Sequence, residues 1–244
     1  MKKVLFIIDP QNDFVDPRGS LYIPGAEIAV DEICKVIESE NPSKIVITQD
    51  THQAYHIGHP GYWKENPTPF TKITIDDIKL GKFKPSHYYS GSSIINYFHK
   101  LPNNTHIVWP EHCIEGSWGW AFPDKLIAAL KKWQLKNQGK SYEIIQKGTD
   151  PNHEMYSAFT RIDKMGIGVK YNTHIKALSR FDKIMISGFA KDVCVAWTVT
   201  DLYTSELFKD KLEFLDNCMT GLDPKSELLN IYNDFINNQG AVWK

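Results

Sequence analysis

The chain opens on a short unbroken apolar run, VLFII at 4–8, that stops at Asp9. Runs of roughly four to eight apolar residues suit strands buried on both faces, whereas half-buried strands alternate. Related patterns follow in KIVITQD at 44–50, YEIIQKG at 142–148, KIMISGF at 183–189 and KLEFLD at 211–216. HIVWP at 106–110 is a candidate short strand. Between these lie segments with apolar residues at helical spacing: AEIAVDEICKVIES at 26–39, DKLIAALKKWQ at 124–134 just after Pro123, and YNTHIKALSR at 171–180. Two more run from Asp192 to Leu207 and through PKSELLNIYNDFINN at 224–238. Strands alternating with helices predict an α/β fold, a parallel sheet with helices on both faces. Residues 57–105 break the alternation, being rich in Pro, Gly, Tyr, His and Lys with weak periodicity. The expectation is one domain over 1–244, with an insertion or lid at about 57–105.

Composition narrows the class. The 244 residues are 42% apolar and 23% charged, enough to bury a sizeable core. A formal net charge of −1 gives no electrostatic case for nucleic acid or an anionic membrane as partner. The four cysteines, Cys34, Cys113, Cys194 and Cys218, show no close pairing, so a reducing compartment is expected rather than a disulfide framework. The apolar run after Lys3 is too short for a signal peptide or a membrane span, so the expected location is cytoplasmic.

Several polar residues fall at the carboxyl ends of predicted strands: Asp9, Asp50 with His52, Lys147, and Cys194 in GFAKDVC. On this architecture such ends converge and bind ligands. Each has a bland explanation alone, a turn cap for Asp9 or a solvated amine for Lys147. Together they offer a carboxylate to take a thiol proton, an ammonium to balance charge, and helix-start N–H groups to hold an oxyanion.

IIDPQNDF with GSL and PGA, then QDTH, WPEHC, EIIQKGTDP with YSAF, and GFAKDVCV resemble the successive motifs of the isochorismatase-like cysteine hydrolases, in their nicotinamidase branch. The resemblance implies a three-layer α/β/α fold on a six-stranded parallel sheet. It implies an Asp–Lys–Cys triad at Asp9, Lys147 and Cys194, acting through a thioester on a small amide such as nicotinamide. It also implies an oxyanion hole from the N–H groups of Ala190 and Cys194, and a cis peptide at Phe189–Ala190. A divalent metal is implied on Asp50, His52 and His112, zinc first, with iron or manganese suited to the same ligands. In this branch the metal accepts the pyridine nitrogen of the substrate. His56 is a further ligand or a neighbour of the site, and Phe14, Trp109 and Tyr156 are expected pocket walls. His59, His87, His99 and His106 are expected to be solvated and Cys113 structural. The branch often forms homo-oligomers.

The chain departs from the pattern at Thr51, where the family often has tryptophan, at IGH (57–59) in place of ISF, and at GSWGWAF (116–122), where Trp118 and Trp120 replace small residues. The segment between His52 and His112 is also long. None of these touches the triad, but all could reshape the pocket. Another small amide is therefore the alternative substrate, and a non-catalytic α/β binding module the distant alternative. A dinucleotide-binding site is excluded at the first strand, which carries no GxGxxG.

Overall fold

The computed structural model describes residues 1–87, 91–162, 168–170, 172–205 and 207–244. In chain order the strands are β1 (Lys3–Ile8), β2 (Lys44–Asp50), β3 (Lys72–Thr74), β4 (Thr105–Ile107) and β5 (Glu143–Lys147). They continue with β6 (Thr160–Ile162), β7 (Gly168–Lys170), β8 (Lys183–Gly188), β9 (Leu212–Met219) and β10 (Val242–Trp243). The helices are α1 (Asn12–Val15), α2 (Ala26–Glu40), α3 (Ile75–Lys79), α4 (Gly91–Phe98), α5 (Asp124–Lys136), α6 (Asn172–Leu178), α7 (Ala196–Tyr203) and α8 (Asn230–Gln239). Six strands form one sheet in the order β10-β9-β8-β1-β2-β5, every pairing parallel. The fold is the α/β class that the alternating pattern predicts.

The alternation of side chains along a strand sorts β1 between two cores. Leu5 and Ile7 join Ile45, Ile47 and Met185 under α2 and α5. Val4, Phe6 and Ile8 join Ile184, Ile186 and Phe214 under α6, α7 and α8. The unbroken apolar run of β1 follows from this two-sided cover. On α2, Ala26, Ala29, Val30, Ile33 and Ile37 are buried, one stripe at helical spacing. Ile33→Ala is expected to cost about 2–5 kcal/mol, read as a lower guanidinium midpoint, because its site is fully closed. An unchanged midpoint would count against that packing.

Four local differences have physical reasons. β5 is an edge strand, with Ile144 43% exposed, so its apolar residues do not mark a two-sided core. HIVWP contributes β4, which pairs antiparallel with β3 outside the main sheet. The helix expected from Asp192 begins as a π-turn at Lys191–Val195 and continues as α7. The sixth strand, β10, has only two residues and carries no periodic signal. Of the expected helical stretches, Tyr171 and Glu206 lie outside the described residues.

The stretch from Ile57 to Val108 builds its own apolar cluster, including Tyr62, Trp63, Ile73, Tyr97 and Phe98. Its elements are short, hence the weak periodicity. His106 is fully buried there, contrary to the solvated expectation. Its Nε2–H donates to the Ile57 carbonyl (3.0 Å) and its Nδ1 accepts from the Tyr97 hydroxyl (2.9 Å). Burial lowers its pKa to about 4. His59 is also buried, whereas His87 and His99 are exposed. No helix among the described residues is long and apolar enough to cross a membrane.

Candidate active site

The four adjacent strands β8, β1, β2 and β5 end side by side. Asp9 follows β1, Asp50 ends β2, Lys147 ends β5, and Cys194 lies in the π-turn after β8. The Phe189–Ala190 peptide is cis. Gly188 allows the close approach that brings this turn beside β1: its φ is +117°, and a Cβ there would run into the Ile8 backbone.

Asp9, Lys147 and Cys194 are brought together, all buried. Lys147 Nζ lies 2.9 Å from Asp9 Oδ2, 3.2 Å from Asp50 Oδ1 and 3.6 Å from Cys194 Sγ, and donates to the Met155 carbonyl at 3.0 Å. Thr48 fixes the Asp9 side chain: its hydroxyl donates to Oδ1 (2.6 Å) and accepts the Asp9 N–H (2.9 Å). That leaves Oδ2 turned to the lysine. Burial raises the Asp9 pKa, against the pull of Lys147. Burial also holds the Cys194 thiol well above its ordinary value; Lys147 opposes this and the two carboxylates add to it. Burial alone would lower Lys147, but Asp50 and Asp9 keep it well above the usual lysine range. The arrangement is a neutral thiol beside an ion-paired carboxylate and ammonium.

A histidine cluster adjoins this group. His52 Nδ1 is 3.0 Å from the Gly148 carbonyl and His112 Nδ1 is 2.8 Å from the Pro110 carbonyl. A carbonyl only accepts, so each ring carries a proton on Nδ1 and turns its Nε2 inward. His52 Nε2 is buried without a hydrogen bond; it lies 3.1 Å from Asp50 Oδ2, and His112 Nε2 lies 3.7 Å from the same oxygen. The ligating atoms of His52, His59 and His112 lie within 4.8 Å of one another. Burial would lower His52, but the adjacent Asp50 carboxylate raises it to about 9. Asp50 itself, though burial favours its neutral form, is held well below the usual range by His52 and Lys147. Burial, with the neighbouring imidazoles, lowers His59 to about 3. The cluster thus favours positive charge beside Asp50, and three imidazoles with one carboxylate suit a divalent metal. Gly148 (φ +73°) leaves it room, since a Cβ there would lie 2.6 Å from Asp50 Oδ1 and from His52 Cε1.

His59 corrects the expectation of a solvated side chain. Its signal was present in HQAYHIGH, where His52, His56 and His59 recur within eight residues. Glu154 was missed altogether. It is buried, its Oε1 is 3.9 Å from His52 Nε2, and its ligating atoms fall within 4.8 Å of those of His52 and His56. Nothing in EMYSAF sets it apart from a surface acid. His56 packs against His52 with ring centroids 4.0 Å apart and the planes tilted by 36°, and burial holds its pKa well below the ordinary value.

A cavity with about 370 Å³ of empty space, part of it opening to solvent, connects the two groups. Asp50, His112, Ala190 and Cys194 line it, with Phe14, Trp109, Tyr156 and Glu154 among its walls. The Trp109 indole donates to the Tyr156 hydroxyl at 3.2 Å. His56 is not among the lining residues, nor are Thr51, Trp118 and Trp120. The departures of sequence therefore lie behind or beside the cavity and do not form its walls. Cys113 is fully buried with its N–H on Asp13 Oδ2 (2.7 Å) and lines no part of it.

No family model matches the chain. Curated proteins similar in sequence are nicotinamidases. That of Saccharomyces cerevisiae is 26% identical over 204 residues, 80% of this chain and 79% of the relative. That of Acinetobacter baylyi is 29% identical over 200 residues, 81% and 72%. Yeast nicotinamidase bound to the inhibitor nicotinaldehyde superposes with a TM-score of 0.70 at 23% identity, covering 100% of both chains. Pyrococcus horikoshii pyrazinamidase in complex with zinc gives 0.57 at 19% identity, covering 100% of this chain and 99% of that one. This chain is thus similar to nicotinamidases in fold over its whole length and in sequence over 80% of it.

Proposed function

We propose that the chain is a metal-dependent cysteine amidohydrolase that converts nicotinamide and water to nicotinate and ammonia. The observation that carries this is the shared cavity: Cys194, Ala190, Asp50 and His112 line one wall system, with Asp9 and Lys147 behind the thiol. Asp50, His52, His59 and His112 would hold the divalent ion, for which zinc is the first choice given the zinc-bound relative. When bound, it supplies a Lewis acid for the pyridine nitrogen.

The protein's own residues account for the covalent steps. Asp9 takes the Cys194 proton as Sγ attacks the carboxamide carbon, and Lys147 balances the charge. The carbonyl oxygen, now an anion, faces the N–H groups of Ala190 and Cys194. Collapse breaks the C–N bond, and the proton on Asp9 leaves with the nitrogen as ammonia. Water, deprotonated by Asp9, then attacks the thioester; nicotinate departs and the thiol is restored. Phe14, Trp109 and Tyr156 offer flat walls for a planar ring. Residues 57–105 are read as an insertion within a single hydrolase domain, which their separate apolar cluster supports.

Purified protein is expected to release ammonia from nicotinamide, to stop after chelation, and to resume when zinc is returned. Zinc-loaded protein with a titratable Cys194 and no ammonia release would discard nicotinamide and leave another small amide.

A further inference from the structure

We propose that Gln11, Gln49, Thr51 and Trp120 form a closed hydrogen-bond clamp that positions the Asp50–His52 turn for metal binding. The inference rests on the metal site proposed above, and it assigns these four as positioning residues. Gln11 is fully buried. Its Oε1 accepts the Asp50 N–H at 2.7 Å, and its Nε2 donates to the Asp50 carbonyl at 2.7 Å and the Trp120 carbonyl at 3.0 Å. Gln49 Nε2 donates to the same Trp120 carbonyl at 3.0 Å. The Trp120 indole N–H returns to Thr51 Oγ1 at 3.0 Å, and that hydroxyl donates to the Gln49 carbonyl at 3.1 Å.

Most of the donors and acceptors are engaged. Both Gln11 amide hydrogens are engaged, the Trp120 carbonyl takes two bonds, and the Thr51 hydroxyl accepts once and donates once. None of the four lines the cavity, so they act on the site through the Asp50–His52 turn. Every bond ends within this network or on the peptide units around Asp50. On its other side the Asp50 backbone pairs with Lys147 in the sheet, and the Thr51 N–H donates to the Lys147 carbonyl at 2.8 Å. The β1–β2 register runs only to Ile7 and Ile47, so past that point the Gln11 side chain takes over. Asn12 fastens the tryptophan loop further, its Nδ2 donating to the Trp118 carbonyl at 2.9 Å. Two departures singled out in the sequence, Thr51 and Trp120, are thus partners in one hydrogen bond. Outer groups that orient a ligand typically change metal affinity by about 10–100-fold when lost.

The test is zinc affinity, measured by competition with a chromophoric chelator, beside the melting temperature of the metal-free protein. Gln11→Glu keeps the shape but cannot donate, and is expected to weaken zinc binding at least ~10-fold. Trp120→Phe and Thr51→Val remove opposite ends of one bond. Each should weaken zinc binding, and the double variant should be no weaker than the worse single, as expected for a shared interaction. This pair keeps the test open should Gln11→Glu not fold. Wild-type zinc affinity in folded variants, or losses that multiply in the double variant, would overturn the clamp. A wild-type protein that binds no zinc removes the metal site and the clamp together. One that binds zinc but leaves nicotinamide intact, with these variant effects present, sustains the clamp and rejects only the substrate.

Discussion

Cys194→Ala is expected to abolish nicotinamide turnover, by about ten-thousand-fold or more, with little change in melting temperature. The asymmetry follows from the site. Cys194 is 7% exposed, and loss of one sulfur there opens a small space beside an existing cavity. Its hydrogen bond with Lys147, at 3.6 Å, is long, its other polar neighbour is the Asp9 carboxylate, and Lys147 keeps its bonds to Asp9, Asp50 and the Met155 carbonyl. The fold therefore loses little. The reaction loses its nucleophile, and no second thiol can replace it. Cys113, the nearest in motif, is fully buried off the cavity, and burial raises its thiol well above the ordinary range. Ammonia release beside circular dichroism and a thermal melt makes the comparison. More than a few per cent of wild-type turnover in the alanine variant would end the thioester scheme.

Legibility from sequence follows how far each residue's role is local. Asp9, Asp50, Lys147 and Cys194 could be placed because each ends or follows a β-rich run, and the ends of parallel strands meet by topology alone. The two-sided burial of β1 and β8 was written in unbroken apolar runs. Burial of His59 and Glu154 was not, because it depends on loops that fold back over the sheet from either side of the chain. Gly58 illustrates this: a Cβ there would lie 2.5 Å from Glu154 Oε2, a contact between residues far apart in sequence. β5 was legible as a strand but not as an edge, since its neighbours are decided elsewhere. The short elements between Ile57 and Val108 carry too few turns or pleats to show a period; Lys72–Thr74 and Ile75–Lys79 together are eight residues.

Lys147→Met tests the electrostatic heart of the site and should be the most destabilising substitution there. Lys147 is buried between two buried carboxylates. Removing one partner of a buried ion pair leaves an uncompensated charge and costs about 3–5 kcal/mol. Here two carboxylates are left facing each other. The pH dependence distinguishes this from lost packing. In wild type the folded pKa of Lys147 is raised, so its contribution is fully present below the ordinary lysine value and does not change between pH 5 and 7. In the variant, Asp9 and Asp50 lose the cation that favoured their charged forms, so their folded pKa values rise. A raised carboxyl binds a proton on folding, and stability returns as pH falls through that value. The deficit measured by guanidinium denaturation in the presence of chelator should thus be large at pH 7 and smaller at pH 5. An equal deficit at both values would assign the loss to packing. Arginine is not expected to rescue, because its planar fork is bulkier than the ammonium that Asp9, Asp50 and the Met155 carbonyl enclose. Turnover should be lost in both variants, since neither holds a compact cation 3.6 Å from Sγ.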